Sequence, residues 1–161
     1  MQKNHSIYLA GPWFTQEQLE VQAQIETYCI QLQRKFFSPR IECLCPPNAT
    51  NEQRVKSFSM NVEGVKNCRI VLANIEGLDT GTIWEMGAAY AFGTPVIAYS
   101  LNSSRKLNLM LAQSCEGFLA GMEVVQIFLR GQPSKLSLDW INECDRPFNW
   151  EVVQKWNQPI V

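Results

Sequence analysis

Short apolar runs alternate along this chain with longer stretches of helical period. Ser6 to Ala10 (Ser-Ile-Tyr-Leu-Ala) is a β-type run closed by the turn signal Gly11-Pro12. Thr15 reads as a helix N-cap, with Gln18 at the capping-box position. The helix it opens is expected to run to about Lys35, with Leu19, Ile25, Cys29, Ile30 and Leu32 as its apolar face. Ile41 to Leu44 predicts a second strand, stopped by Pro46-Pro47. Asn51 to Asn67 predicts a helix with Val55, Phe58, Val62 and Val65 on one side. Ile70 to Asn74 predicts a buried third strand, Thr82 to Phe92 a helix ended by Gly93, and Pro95 to Tyr99 a fourth strand. Leu107 to Gln113 predicts a short helix, Gly117 to Ala120 a fifth strand, and Met122 to Arg130 a last helix. Strands alternating with helices predict one α/β domain over residues 1–161: a doubly wound, mostly parallel five-stranded sheet with helices on both faces.

The tail over 132–161 breaks this pattern. It carries Pro133, Pro147 and Pro159 and the tryptophans Trp140, Trp150 and Trp156. Aromatics that dense on a terminal segment predict packing, either over the protomer's own sheet edge or against a neighbouring subunit, and we favour the subunit contact.

Composition changes this picture little. At 161 residues, with 46% hydrophobic and 18% charged positions, the chain is globular and large enough for a full core. A formal net charge of -1, with Lys and Arg scattered, excludes a basic nucleic-acid face; Arg34-Lys35 reads as a solvated helix end. No apolar run approaches the ~20 residues that cross a bilayer, and no charged-then-apolar leader is visible, so a cytoplasmic location is expected. Of the six cysteines, Cys29, Cys68 and Cys115 read as core residues. Cys43-Leu44-Cys45 can be half a metal site, but no second pair or histidine cluster accompanies it, so no metal and no cofactor are expected. The only histidine is His5, so catalysis is expected to use carboxylates, hydroxyls and amides.

The stretch Gly77-Leu78-Asp79-Thr80-Gly81-Thr82-Ile83-Trp84-Glu85-Met86-Gly87 holds the chemistry. It sets Asp79 in a glycine-flanked loop and Glu85 early in a helix, just after a strand, where open α/β sheets bind ligands. Two acids there can divide labour, one attacking and one moving a proton. Each has a plainer reading: Thr82 and Glu85 have capping-box spacing, and Asp79 can be a turn residue. A carboxylate near a helix N-terminus is also kept ionised, as a nucleophile must be. Asn61 reads as a solvated or capping residue on its helix, Tyr8 as core, and Asn108 as a helix start. Trp13 and Phe14 either stack a planar ligand or close the core.

Taken in order, Ile7-Tyr8-Leu9-Ala10-Gly11-Pro12-Trp13-Phe14, Leu78 to Gly87, Gly93-Thr94-Pro95-Val96 and Leu107-Asn108-Leu109-Met110-Leu111-Ala112-Gln113 resemble the nucleoside 2-deoxyribosyltransferase family over about the first 120 residues. The resemblance implies a flavodoxin- or Rossmann-like sheet and a retaining double displacement at C1′ of a 2′-deoxynucleoside, with free nucleobases as acceptors and a place in nucleotide salvage. Glu85 would be the nucleophile, with side hydrolysis of its ester; Asp79 would protonate the leaving base and Tyr8 would hold the Glu85 carboxylate. Gly11, Trp13, Phe14 and Asn61 would bind substrate. Asn108 and Met110 would complete a neighbouring subunit's site in a homo-oligomer, a dimer or a hexamer built as a trimer of dimers. Relatives carry aspartate at the Asn61 position, and the ending Pro159-Ile160-Val161 lacks the family's aromatic C-terminus, although Asn142-Glu143-Cys144 resembles it. Two other readings are a nucleoside 5′-monophosphate N-glycosidase, which needs Ser and Arg on the first loop where this chain has Gly-Pro-Trp-Phe-Thr, and a non-catalytic nucleoside-binding module.

Overall fold

The computed structural model describes residues 5–102, 107–132, 149 and 151. Five strands form one all-parallel sheet: β1 (His5–Ala10), β2 (Phe36–Phe37), β3 (Cys68–Asn74), β4 (Val96–Ser100) and β5 (Gly117–Ala120), in the order β2-β1-β3-β4-β5. Among the described residues six α-helices accompany them: α1 (Gln16–Gln31), α2 (Pro39–Glu42), α3 (Asn51–Asn67), α4 (Thr80–Ala91), α5 (Leu109–Ser114) and α6 (Met122–Leu129). The register aligns Tyr8 of β1 with Phe37 of β2 and Val71 of β3.

Strand alternation sorts the core into two layers. Ile7, Leu9, Ile70, Leu72, Ile97, Tyr99 and Leu119 face α1 and α6, burying Ile25, Cys29, Val125 and Phe128. Tyr8, Ala10, Val71, Ala73, Val96, Ala98 and Phe118 face the opposite way, onto Val65 of α3, Met86 and Ala89 of α4, and Leu111 of α5. Strands covered on both sides have no polar face, which is why β3 reads as a continuous apolar run. As read from the sequence, Cys29, Cys68 and Cys115 are buried.

The expected strand at Ile41 to Leu44 is not there. The second strand is Phe36–Phe37, and Pro39–Glu42 is a short helix with Ile41 and Leu44 exposed. Proline at a first helical position carries no amide to satisfy, and buried Ser38 donates its hydroxyl to buried Glu26 at 2.6 Å. α1 stops at Gln31, short of Lys35, because Gln33 turns left-handed at φ 55° and Arg34 N–H closes back on Cys29 O. Arg34 is accordingly not a solvated end: its Nε donates to the Leu129 carbonyl at 3.3 Å, tying α1 to α6. Ile30 is exposed rather than part of the apolar face. Along α3 only the later turns lie over the sheet, so Gly64 and Val65 are buried while Val55 and Phe58 are exposed.

Trp140, Trp150, Trp156 and the segments 142–144 and 159–161 lie outside the described residues. Asn149 does not: its backbone N–H and its Nδ2 each reach Glu116, just before β5, at 2.9 Å.

Candidate active site

Tyr8 rises from β1 into the layer beneath α3 and α4, stacked on Phe37 with ring centroids 5.3 Å apart. Room for it comes from Gly64: a Cβ there would stand 3.0 Å from Tyr8 Cε2 and 3.1 Å from the Phe37 ring. A glycine inside a helix is a propensity defect with a packing reason, and that defect is the sequence signal that could have found Gly64.

The Tyr8 hydroxyl donates to Glu85 Oε1 at 2.7 Å and lies 3.3 Å from Asn61 Oδ1. Glu85 is therefore not a capping-box residue. Asp79 caps α4, its Oδ2 accepting from Thr82 N at 2.8 Å and Thr82 Oγ1 at 3.0 Å. The helix starts at Thr80, so Thr82 is inside it and Glu85 lies one turn beyond any capping duty. The loop before it is shaped by Gly77 at φ 75° and Leu78 at φ 52°, a left-handed pair that turns the chain from β3 into α4. Among the described residues Glu85 Oε2 makes no hydrogen bond, so one carboxylate oxygen is pinned and the other is available.

Burial pushes the Glu85 carboxyl up to about 7, with the Asp79 charge adding to the rise and the Tyr8 hydrogen bond opposing it. Burial first, then the Glu85 charge, holds the Tyr8 phenol far above its ordinary range, so it stays a donor. Cys43, whose Sγ lies 2.6 Å from Asn61 Oδ1, was not singled out as a neighbour of this site. Its place depends on α2, which no local pattern announced. Asn61 is correspondingly half-buried: the Cys43 thiol donates to its carbonyl, and the Tyr8 oxygen lies beside it.

Trp13 and Phe14 do not close the core. Their rings stack at 5.5 Å beyond the end of β1, Phe14 is exposed, and Gln18 Oε1 holds their loop through Phe14 N and Thr15 N. Gly11 is buried where a Cβ would meet Gln22 Oε1 at 2.8 Å and Asn74 Cβ at 3.1 Å, so close packing alone accounts for a glycine. Asn108 caps α5, accepting from Leu111 N at 2.9 Å. It and Met110 are not joined to Tyr8 or Glu85 by any hydrogen bond among the described residues. Met110 is 77% exposed and lines an apolar groove of about 410 Å³ with Ile83, Gly87, Tyr90 and Leu109, on the outer side of α4.

A larger hollow of about 600 Å³, between Gln18, Asn74, Glu76 and Asn102, contains none of Tyr8, Asp79 and Glu85. Glu76 there accepts the Leu101 and Asn102 amides, which makes it a clasp for the loop after β4. Cys43 is buried and Cys45 exposed, and among the described residues no group of three metal-ligating side chains is assembled. Nor is any described helix long and apolar enough to cross a membrane.

The model of the nucleoside 2-deoxyribosyltransferase family matches residues 7–127. Among solved structures, a 2-deoxyribosyltransferase from the psychrotolerant bacterium Bacillus psychrosaccharolyticus, described as a suitable biocatalyst for synthesis of antiviral and antitumoral nucleosides, is 32% identical with a TM-score of 0.65; the match covers 74% of this chain and 89% of that one. A conserved protein from Enterococcus faecalis V583 shares the fold at 23% identity and a TM-score of 0.50, over 77% of this chain and 84% of its own. No curated protein matches.

Proposed function

From the premise that this chain belongs to the nucleoside 2-deoxyribosyltransferase family, we propose that it moves 2-deoxyribosyl groups between nucleobases through a covalent ester on Glu85. The observation that carries the reading is the 2.7 Å bond from Tyr8 to Glu85 Oε1, which leaves Oε2 without a partner among the described residues. In the first half-reaction Oε2 attacks C1′ of a 2′-deoxynucleoside as the C1′–N bond breaks. The bonding pair goes to the base nitrogen, and Asp79 supplies the proton that the departing base takes. In the second, the nitrogen of another base attacks C1′ from the opposite side, the Glu85 carboxylate leaves, and Asp79 takes the proton back. Two inversions retain configuration. Water in place of the second base gives hydrolysis.

Tyr8 orients the attacking carboxylate and steadies the charge that returns to it. Trp13 and Phe14 border the base, Gly11 lines the floor beside them, and Asn61 meets the base edge. Asn108 and Met110 complete the sugar pocket of a neighbouring copy. The apolar residues left exposed along the outer side of α4 and α5, among them Tyr90, Leu109 and Met110, support a contact between copies there.

Purified protein incubated with a deoxynucleoside and a second free base, followed by chromatography, tests the reading. Wild type is expected to make the second deoxynucleoside. Glu85→Gln and Glu85→Ala are expected to lose at least three orders of magnitude in rate, roughly 4 kcal/mol of barrier. Near-normal exchange by either variant overturns the covalent role.

A further inference from the structure

The Asn61 amide has two faces, and its neighbours decide which one a ligand meets. Its Oδ1 lies 3.3 Å from the Tyr8 hydroxyl and 2.6 Å from Cys43 Sγ. Its Nδ2 makes no hydrogen bond among the described residues, and Asn61 is only partly buried. Tyr8 cannot set this orientation. It has one proton, and the shorter bond to the Glu85 carboxylate takes it. With that proton committed, the Tyr8 oxygen can only accept, so taken alone it would favour the inverted amide, whose N–H it could take. The thiol holds the amide the other way, because its proton needs an acceptor and Asn61 Oδ1 is its hydrogen-bond partner among the described residues.

The thiol stands on a rigid mount. Cys43 N–H closes α2 on Pro39 O at 3.1 Å. The segment just before it is tied to α1 by Ser38 and Arg40, which both bind the buried Glu26 carboxylate, Arg40 Nε at 3.2 Å. Burial first, then the charges of Glu85 and Glu42, pushes the Cys43 thiol up to about 11, so it keeps its proton near neutrality.

We propose that Cys43 is a positioning residue that turns the Asn61 carbonyl inward and its amino group toward the base, so that the site favours oxo-substituted bases over their amino counterparts. The proposal rests on the reading that Asn61 meets the base. An amide presenting only N–H groups pairs with a carbonyl oxygen and is left facing a donor when the base carries an amino group there.

Calorimetric titration of the full-length protein with free bases tests it without turnover, since a free base offers no sugar to transfer. Wild type is expected to bind hypoxanthine over adenine and uracil over cytosine by about tenfold. Cys43→Ala, with the amide free to invert, is expected to narrow the ratio to about twofold, while Cys43→Ser, which keeps a donor, preserves it. Asn61→Asp, which offers only acceptors when ionised, is expected to reverse it. If Cys43→Ala does not fold, Cys43→Val, of similar size and without a donor, replaces it. An unchanged ratio in the alanine or valine variant overturns the proposal. So does a serine variant that behaves like alanine, and so does a wild type that shows no preference or binds no base. Base exchange measured in parallel separates the two readings. Lost exchange with the expected binding ratios removes the transferase reading alone; normal exchange with ratios indifferent to Cys43 removes this one alone.

Discussion

At the scale of single residues, Glu85 links chemistry to pH. Its ionisation is held back to about 7 from an ordinary 4.5, so the folded chain binds that proton more tightly than the unfolded chain does. The stability this confers is whole below about 4.5 and is lost as pH rises through about 7. A nucleophile must be ionised, so in the proposed role the ionisation of Glu85 is expected to give kcat/KM for base exchange an acid limb that rises about tenfold per pH unit and bends at about 7. Glu85→Gln has no charge to bury. Its melting temperature is expected to match wild type at pH 4 and exceed it by several degrees at pH 8, a gap on the order of 3 kcal/mol. Paired melting curves at the two pH values check this, and a variant no more stable than wild type at pH 8 would show that Glu85 is not desolvated. The capping role that spacing alone offered Glu85 went to Asp79, because the helix begins two residues before Thr82.

Among the elements, the seat of Tyr8 is decided by α3. Gly64→Ala has opposed effects: better helix propensity by up to about 1 kcal/mol, against a Cβ forced onto two stacked rings. Tyr8 is fully buried and Phe37 nearly so, and the two rings are stacked on each other, so a ring that yields to the new Cβ must move its stacked partner too. Overpacking is expected to win, lowering stability by about 1–2 kcal/mol and slowing exchange because the Tyr8–Glu85 bond is displaced. Thermal melts and exchange rates on the same preparation check both parts. A more stable, fully active Gly64→Ala would mean that α3 slides easily on the sheet. The elements most legible in the sequence were those with strong local signals: the Thr15 capping box, the β3 apolar run and α3 itself. The second strand was not, because two residues at a sheet edge carry no periodicity, whereas exposed Ile41 and Leu44 imitate one.

For the whole molecule, the outer side of α4 and α5 is the face left to explain. Tyr90 is 64% exposed and Leu109 67%, beside the apolar groove that holds Met110. A shared site on this face has a complementation signature. Asn108→Ser keeps a helix cap but lacks the reach of the amide, so it is expected to be poorly active alone, as is Glu85→Gln. Mixing the two after dissociation and reassembly is expected to restore part of the exchange activity, since a mixed pair can bring one intact Glu85 to one intact Asn108. No recovery on mixing, with assembly shown by sedimentation, would put Asn108 in its own protomer's site or in none.

The sequence by itself determined the layer architecture and singled out a pair of acids. A strand buried on both faces must be apolar throughout, a helix on a sheet must repeat its apolar positions, and a carboxylate pair at a strand-loop-helix corner stands out locally. Only the tertiary structure decided which oxygen of Glu85 is held, why Gly64 is a glycine, and that Cys43 meets Asn61. Those facts join β1, α2, α3 and α4, segments far apart along the chain. Their contacts are set by how the helices pack on the sheet, and nothing in the local spacing of any one segment encodes that.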